Sequence, residues 1–210
     1  MRAILWLSFL LVFAVPLPAQ AASALLRIAV LGDSLSAGYG LAATDAFPAQ
    51  LQKALVTRGC AVTIDNAGVS GDTTAGGRAR LDWVLAGHPQ LVIVELGGND
   101  ALRGLPPDEA AGNLAAILER LQAQGITALL AGMKAPRNLG REYYNKFDEL
   151  YPRLAKRYHV PFYPFFLAGV TGRPELNQAD GIHPNVKGVA EIVHRILPLV
   201  VKTLGPGVCR

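Results

Sequence analysis

Short apolar runs alternate with longer amphipathic segments through most of this chain. The apolar runs have the length and composition of buried strands, whereas the segments between them repeat apolar residues with the period of a helix. We predict strands at 26–31, 61–65, 91–96, 126–131 and 160–163. We predict helices at 48–58, 77–86, 107–124 and 143–158, with a final helix that ends near 204. The run at 91–96 is apolar at nearly every position, which is typical of a strand covered on both faces.

The final helix has the clearest helical period. Its apolar face comprises Val189, Ile192, Val193, Ile196, Leu197, Val200 and Leu204. We expect Pro198 to kink this helix and Gly205 to end it. The alternation of strands with helices predicts an α/β fold, with a parallel sheet, right-handed crossovers and helices on both faces. Ligands bind beyond the carboxyl ends of the strands in such sheets, so polar residues that directly follow strands are the candidates for chemistry.

The amino-terminal residues differ in character from the rest. Arg2 precedes an apolar run at 4–15, and the small residues Ala19 and Ala21 follow it. This is the pattern of a secretory signal peptide, which we predict over residues 1–21, with a single domain over residues 22–210. The apolar run is too short for a stable membrane anchor, and no cysteine follows it for lipid attachment. The sequence therefore predicts an exported protein, periplasmic or secreted, without a stable membrane anchor.

Composition excludes some classes of partner. Apolar residues make up 51% of the chain and the formal net charge is +4, with the basic residues scattered. We therefore expect no nucleic-acid binding. We also expect a monomer that acts on a small molecule. His88, His159 and His194 have no metal-ligand spacing, so we predict neither a metal nor a cofactor.

Three residues have the chemistry of a nucleophilic site. Ser34 follows the first predicted strand, while Asp180 and His183 lie three residues apart before the final helix. A serine hydroxyl becomes an effective nucleophile when a base accepts its proton and an acid orients that base. Ordinary structural roles remain open at this point: Ser34 as the cap of a helix, and Asp180 as a turn former beside a solvent-facing histidine.

Two further residues offer hydrogen-bond donors for a developing oxyanion. Asn99 lies in the glycine-rich loop after the strand at 91–96, and its side chain carries an amide. Gly71 lies after the second predicted strand, and without a Cβ its N–H can approach a substrate closely. Either residue alone is more typical of a turn. Together with Ser34, Asp180 and His183 they all fall at one edge of the predicted sheet.

These residues carry a resemblance to a known family. Gly32-Asp33-Ser34-Leu35-Ser36 resembles the first block of the SGNH or GDSL hydrolases, and Gly71 resembles the second. Gly97-Gly98-Asn99-Asp100 resembles the third block and Asp180-Gly181-Ile182-His183 the fifth. The segments at 37–40 and 65–74 are similar to the secreted arylesterase, lysophospholipase and thioesterase I branch. Ser36 stands where the second glycine of the G-x-S-x-G elbow of α/β-hydrolases would be.

The resemblance implies a three-layer, flavodoxin-like α/β fold with a five-stranded parallel sheet. It also implies a catalytic triad of Ser34, His183 and Asp180, with an oxyanion hole formed by the N–H groups of Ser34 and Gly71 and the amide of Asn99. The expected activity is hydrolysis of carboxylic esters or thioesters, including aryl esters, acyl thioesters and lysophospholipids, through an acyl-enzyme. No metal or cofactor is implied.

Two other functions remain open from the residues. A carbohydrate deacetylase would use the same fold and would prefer acetyl groups. A flavodoxin-like binding module without catalysis would use loops at the same edge, but it would leave Asp180 and His183 without a purpose, and the chain has no phosphate-loop lysine motif.

Four residues are predicted to line an acyl groove, and two to form a disulfide. Leu35 and Leu102 follow the first and third predicted strands, and Leu139 and Tyr143 follow the fourth. Cys60 follows the first long helix and Cys209 the last. Because the first and last helices of doubly wound folds often share a face, we expect Cys60 and Cys209 to pair at the edge opposite the active site.

Overall fold

The protein folds around one parallel sheet. The structure, a computed structural model, describes residues 25–209, so the predicted leader at 1–21 lies outside the described residues. The strands are β1 (Leu26–Gly32), β2 (Val62–Gly68), β3 (Leu91–Glu95), β4 (Thr127–Ala131) and β5 (Phe162–Tyr163). They are all parallel, in the order β2-β1-β3-β4-β5. The predicted five-stranded parallel sheet of the flavodoxin-like type is confirmed.

Eight α-helices connect and cover the strands in the described part of the chain. They are α1 (Ser34–Ala37), α2 (Phe47–Thr57), α3 (Thr74–Ala79), α4 (Leu81–Leu85), α5 (Gly98–Leu102), α6 (Pro107–Ala123), α7 (Arg141–Tyr158) and α8 (Val186–Leu204). Helix α2 packs against α8, while α6 packs against α3 and α7. The helices thus form two groups with the sheet between them. None of the helices at 25–209 is long and apolar enough to cross a bilayer.

The structure differs from the predicted elements mainly in its short pieces. The segment predicted as one helix at 77–86 forms α3 and α4, which meet at Arg80. Strand β2 extends to Gly68 because its pairing with β1 continues to the end of that strand. The pattern gave no sign of α1 and α5, which are too short to show a helical period. Helix α8 continues through Pro198 without a break.

The core lies on both faces of the sheet. The strands β1, β3 and β4 contribute a continuous buried layer, and every residue of β3 is buried. Large side chains from the helices cover this layer and are themselves almost completely buried, including Phe47, Leu51, Leu114, Phe147 and Tyr151. This rigid arrangement fixes the carboxyl ends of β1, β2 and β3, from which the candidate site is built.

A disulfide joins the ends of α2 and α8. Cys60 follows α2 and Cys209 follows α8, and the structure pairs them. The Ala61 N–H donates to the carbonyl of Val208 at 3.1 Å, so the backbones also meet there. Because Cys60 precedes β2, this link lies at the amino edge of the sheet, opposite the carboxyl edge.

We predict that the Cys60→Ser/Cys209→Ser double variant is less stable by about 2–5 kcal/mol, because the unfolded chain is no longer constrained by a cross-link between distant residues. Its kcat should stay near that of the wild type, since the link lies at the far edge of the sheet. Denaturant unfolding of both proteins measures the difference. Two free thiols per chain in denatured, unreduced wild-type protein would contradict the pairing.

Candidate active site

The candidate residues meet at the carboxyl edge of the sheet. Ser34 follows β1, Gly71 follows β2, and Asn99 follows β3 in α5. Asp180 and His183 lie in the loop that precedes α8. The strand order reverses between β1 and β3, and the crevice outside such a switch point is where open parallel sheets bind ligands.

A tight strand-to-helix turn positions Ser34. Ser34 is the first residue of α1, and the side chain of Asp33 caps this helix by accepting the Leu35 N–H at 2.9 Å. Gly32 precedes the turn, and a Cβ there would lie 2.2 Å from the Ser36 Oγ atom and 2.6 Å from the Glu95 Oε2 atom. The turn therefore requires glycine at position 32, because side chains from α1 and β3 already fill that space.

Ser34, His183 and Asp180 form a continuous chain of hydrogen bonds. His183 Nε2 lies 3.0 Å from Ser34 Oγ, and His183 Nδ1 lies 2.7 Å from Asp180 Oδ2. The other carboxyl oxygen of Asp180 accepts the N–H groups of Ile182 at 2.9 Å and His183 at 3.0 Å. The backbone N–H and ring of His183, then the Ile182 N–H, lower the pKa of Asp180 to about 2. Asp180 is therefore ionised and oriented toward the imidazole at neutral pH.

Tyr39 supports the imidazole from a second side. Its ring centroid lies 4.6 Å from that of His183, with 36° between the ring planes. The Gln178 side-chain amide donates to the Tyr39 carbonyl at 2.7 Å, which ties the loop after α1 to the loop of His183. Neither the hydrophobic pattern nor the motifs identified Tyr39 as a site residue. The signal that could have identified Tyr39 is its place in the 37–40 segment, which resembles the family.

The candidate oxyanion donors lie on two neighbouring loops. Gly71 has φ +85°, a conformation that favours glycine, and no described residue accepts a hydrogen bond from its N–H. The Asn99 amide donates to Asp33 Oδ2 at 3.1 Å and to the carbonyl of Asp72 at 2.9 Å. Arg103 holds the carbonyl of Gly71 at 2.8 Å. These contacts fix the donors before any substrate binds, although the Asn99 amide must share or release a partner to reach an oxyanion.

Two buried carboxyl groups lie beneath Ser34. Asp33 is 2% exposed and Glu95 is completely buried. Burial raises the pKa of Asp33 to about 6, against the opposing effects of the Leu35 N–H, the His183 ring and the Asn99 amide. Burial also raises the pKa of Glu95 well above its ordinary value, and the charge of Asp33 raises it further. The sequence pattern identified Glu95 only as part of the predicted buried strand at 91–96.

An apolar cavity opens beside Ser34. It has a volume of about 190 Å³ and is lined by Ser34, Asn99 and His183, together with Leu35, Leu102, Met133, Leu167 and Ile182. A more open cleft of about 420 Å³ continues from it and shares Leu102, Met133 and Ile182. Leu35 and Leu102 thus lie where an acyl groove was expected. Among the described residues, no group of three His, Cys, Asp or Glu side chains is arranged to hold a metal ion.

Leu139 and Tyr143 do not line this cavity, and the prediction for them needs correction. They line a separate cleft with Gly140, and the Tyr143 hydroxyl donates to the carbonyl of Leu105 at 2.7 Å. The chain turns away after Pro136, through a short 3₁₀ helix and the positive φ of Gly140. Met133 and Pro136, which follow β4 more closely, line the cavity instead.

The fold and the hydrogen-bonded Ser34, His183 and Asp180 side chains define a class of protein: the hydrolases of the SGNH type. The chain belongs to the GDSL-like lipase/acylhydrolase family, whose model matches residues 30–190. It is therefore a carboxylic ester hydrolase, which excludes the non-catalytic binding module considered above.

The relatives support this assignment. The chain is 39% identical to an arylesterase of Vibrio mimicus, over 94% of this chain and 98% of the relative. It is 44% identical to the thioesterase 1/protease 1/lysophospholipase L1 of Escherichia coli K12, over 85% of this chain and 84% of the relative. The crystal structure of AlinE4, an SGNH-hydrolase family esterase, matches with a TM-score of 0.72 and 50% identity, covering 86% of this chain and 97% of that one.

Proposed function

We propose that this protein is an exported serine esterase in which Ser34 is the nucleophile, His183 the general base and Asp180 the residue that orients the base. The unbroken hydrogen-bond chain from Ser34 through His183 to Asp180 is the observation that carries the proposal. The reaction is the hydrolysis of a carboxylic ester or thioester through an acyl-enzyme.

Acylation follows from the distances at the site. His183 Nε2 accepts the Ser34 hydroxyl proton while Ser34 Oγ forms a bond to the substrate carbonyl carbon. The carbonyl oxygen then becomes an oxyanion, and the donors for it are the N–H groups of Ser34 and Gly71 and the Asn99 amide. As the tetrahedral intermediate collapses, the bond to the alcohol or thiol breaks, and that group takes the proton from His183.

Deacylation repeats the same chemistry with water. His183 removes a proton from a water molecule, which attacks the acyl carbon, and the released Ser34 oxygen takes the proton back. Asp180 stays ionised throughout, so it stabilises the imidazolium in both steps. Every proton transfer uses a group at the site, and the proposed reaction uses no metal or cofactor.

The lining of the cavity favours an apolar acyl chain. Leu35, Met133 and Ile182 offer no hydrogen-bonding side chains, and the adjoining cleft gives a longer group room to extend. The relatives are named for aryl ester, thioester and lysophospholipid hydrolysis. We infer that these ester and thioester classes are the substrates here, and that the active species is a monomer exported by the 1–21 leader.

A chain-length series tests this proposal. Residues 22–210 are assayed with p-nitrophenyl esters from acetate to palmitate, and the protein is treated with a serine-reactive phosphonate before peptide mass mapping. We expect hydrolysis with an optimum longer than acetate and one phosphonate adduct, on the peptide that contains Ser34. An acetate optimum would favour the carbohydrate deacetylase instead. An adduct elsewhere, or no hydrolysis, would contradict the proposed nucleophile.

A further inference from the structure

Glu95 is attached to the turn on both sides of Ser34. It is the last residue of β3, and its carboxyl group is completely buried. Its Oε2 atom accepts the Ser36 hydroxyl at 2.6 Å and the Asp33 N–H at 3.4 Å. Asp33 and Ser36 flank the nucleophile, so the carboxyl group of Glu95 holds the turn that carries Ser34 against the end of β3.

The surroundings of Glu95 suit a neutral acid better than a carboxylate. Its Oε1 atom is buried and has no hydrogen-bond partner among the described residues. No lysine, arginine or histidine in the described part of the chain lies within ion-pair distance of it. A buried negative charge without a partner is costly, whereas the protonated form spreads no charge into the core.

Asp33 has a hydrogen-bond donor at each carboxyl oxygen, whereas the Oε1 atom of Glu95 has none. Its Oδ1 atom accepts the Leu35 N–H at 2.9 Å, and its Oδ2 atom accepts the Asn99 amide at 3.1 Å. The charge of Asp33 opposes ionisation of Glu95. Each carboxyl group has two donors, but both donors to Glu95 fall on Oε2, whereas Asp33 has one donor on each oxygen and so stabilises a negative charge better. The contacts therefore divide the two roles: Asp33 carries the charge and Glu95 keeps its proton.

We propose that Glu95 is a positioning residue that works as a neutral carboxylic acid, while Asp33 is the ionised partner that holds the amide of Asn99. This inference rests on the proposed function, because Glu95 acts through Ser34 and Asn99. It also explains the departure from the G-x-S-x-G elbow, since Ser36 supplies the hydroxyl that reaches Glu95.

Other charged and titratable groups surround this pair. They are Asp72 and Arg80 on the α3 side, His183 before α8, and Tyr151 on α7. Arg80 pairs with Asp72 at 2.6 Å and donates to the carbonyl of Gly32 at 2.9 Å, and it forms no ion pair with Glu95. The charge of His183 lowers the pKa of Asp33, against the larger effect of burial.

Three variants test the role of Glu95: Glu95→Gln, Glu95→Ala and, as a control for the catalytic site, Ser34→Ala. The assay is kcat and KM between pH 5 and 9, with the p-nitrophenyl ester that the wild type hydrolyses fastest. Circular dichroism checks that each variant is folded, and phosphonate titration measures the fraction of molecules with a reactive serine. Glutamine can accept from Ser36 as a neutral acid does, so kcat of Glu95→Gln should stay within about threefold of wild type.

The alanine variant removes the acceptor. We expect its kcat per reactive site to fall about 100-fold, with KM nearly unchanged, because the turn that carries Ser34 shifts. Because burial raises the pKa of Asp33 to about 6, we expect its ionisation to contribute to the acid limb of the wild-type profile. The acid limb of Glu95→Gln should fall at the same pH as that of the wild type, since replacing a neutral group leaves the electrostatic field at Asp33 unchanged.

Two results would overturn the inference. A kcat of Glu95→Gln as low as that of Glu95→Ala, or an acid limb moved to lower pH in Glu95→Gln, would show that Glu95 is ionised. A kcat of Glu95→Ala equal to wild type would show that it does not position the turn. Failure of the proposed function is distinct from both, because Ser34→Ala would then keep the wild-type activity.

Discussion

Replacing Ser34 with alanine is expected to lower kcat about a million-fold, with little change in KM or in thermal stability. The reason is that, among residues 25–209, only the Ser34 hydroxyl lies within hydrogen-bond distance of His183 Nε2, at 3.0 Å, so it is the hydroxyl that the proposed mechanism acylates. The residual rate would come from the oxyanion donors and from binding in the cavity. Steady-state hydrolysis of the preferred p-nitrophenyl ester measures the loss.

Ser70→Ala is the matched control for this prediction. Ser70 lies one residue before Gly71, is exposed, and makes no hydrogen bond to His183. Its removal should change kcat by less than about threefold, as for other exposed substitutions. If Ser34→Ala retains most of the activity while remaining folded, another residue is the nucleophile and the proposed mechanism is wrong.

Asp180→Asn is expected to lower kcat about ten-thousand-fold while the fold is kept. An asparagine can donate its amide to His183 Nδ1, which places the ring proton on Nε2. The ring then cannot accept the Ser34 proton, and no carboxylate stabilises the imidazolium. Because the pKa of Asp180 is lowered to about 2, the residue stays ionised from pH 5 to 9, and the loss should be similar across that range.

Asp108→Asn provides the comparison for Asp180→Asn. Asp108 is an exposed carboxylate on α6 that pairs with Lys146 at 2.6 Å, and it does not line the cavity beside Ser34. This variant should keep wild-type kcat, since exposed ion pairs contribute little. A loss of less than about tenfold in Asp180→Asn would mean that another group orients His183.

The two halves of the proposed triad differ in how the chain brings them together. Asp180 and His183 are close in sequence, so a single turn of backbone places their side chains in contact, and this was foreseeable from their spacing. Ser34 reaches His183 across 149 residues, and tertiary contacts such as the packing of α2 on α8 and the Gln178–Tyr39 hydrogen bond bring the loop before α8 beside the end of β1. The family motifs supplied that pairing, since spacing alone does not.

The hydrophobic pattern by itself determined the parallel α/β architecture, because residues 26–204 alternate short apolar runs, typical of buried strands, with segments that have the period of amphipathic helices. It also located the polar residues at the carboxyl ends of the strands. Only the tertiary structure decided which apolar residues face the cavity, and there Met133 replaced Leu139. Only the tertiary structure set Glu95 beneath Ser34, because a glutamate within a buried strand has no local pattern that reveals its distant partners. Burial and contacts across the sheet, not sequence neighbours, set the charge of such a group.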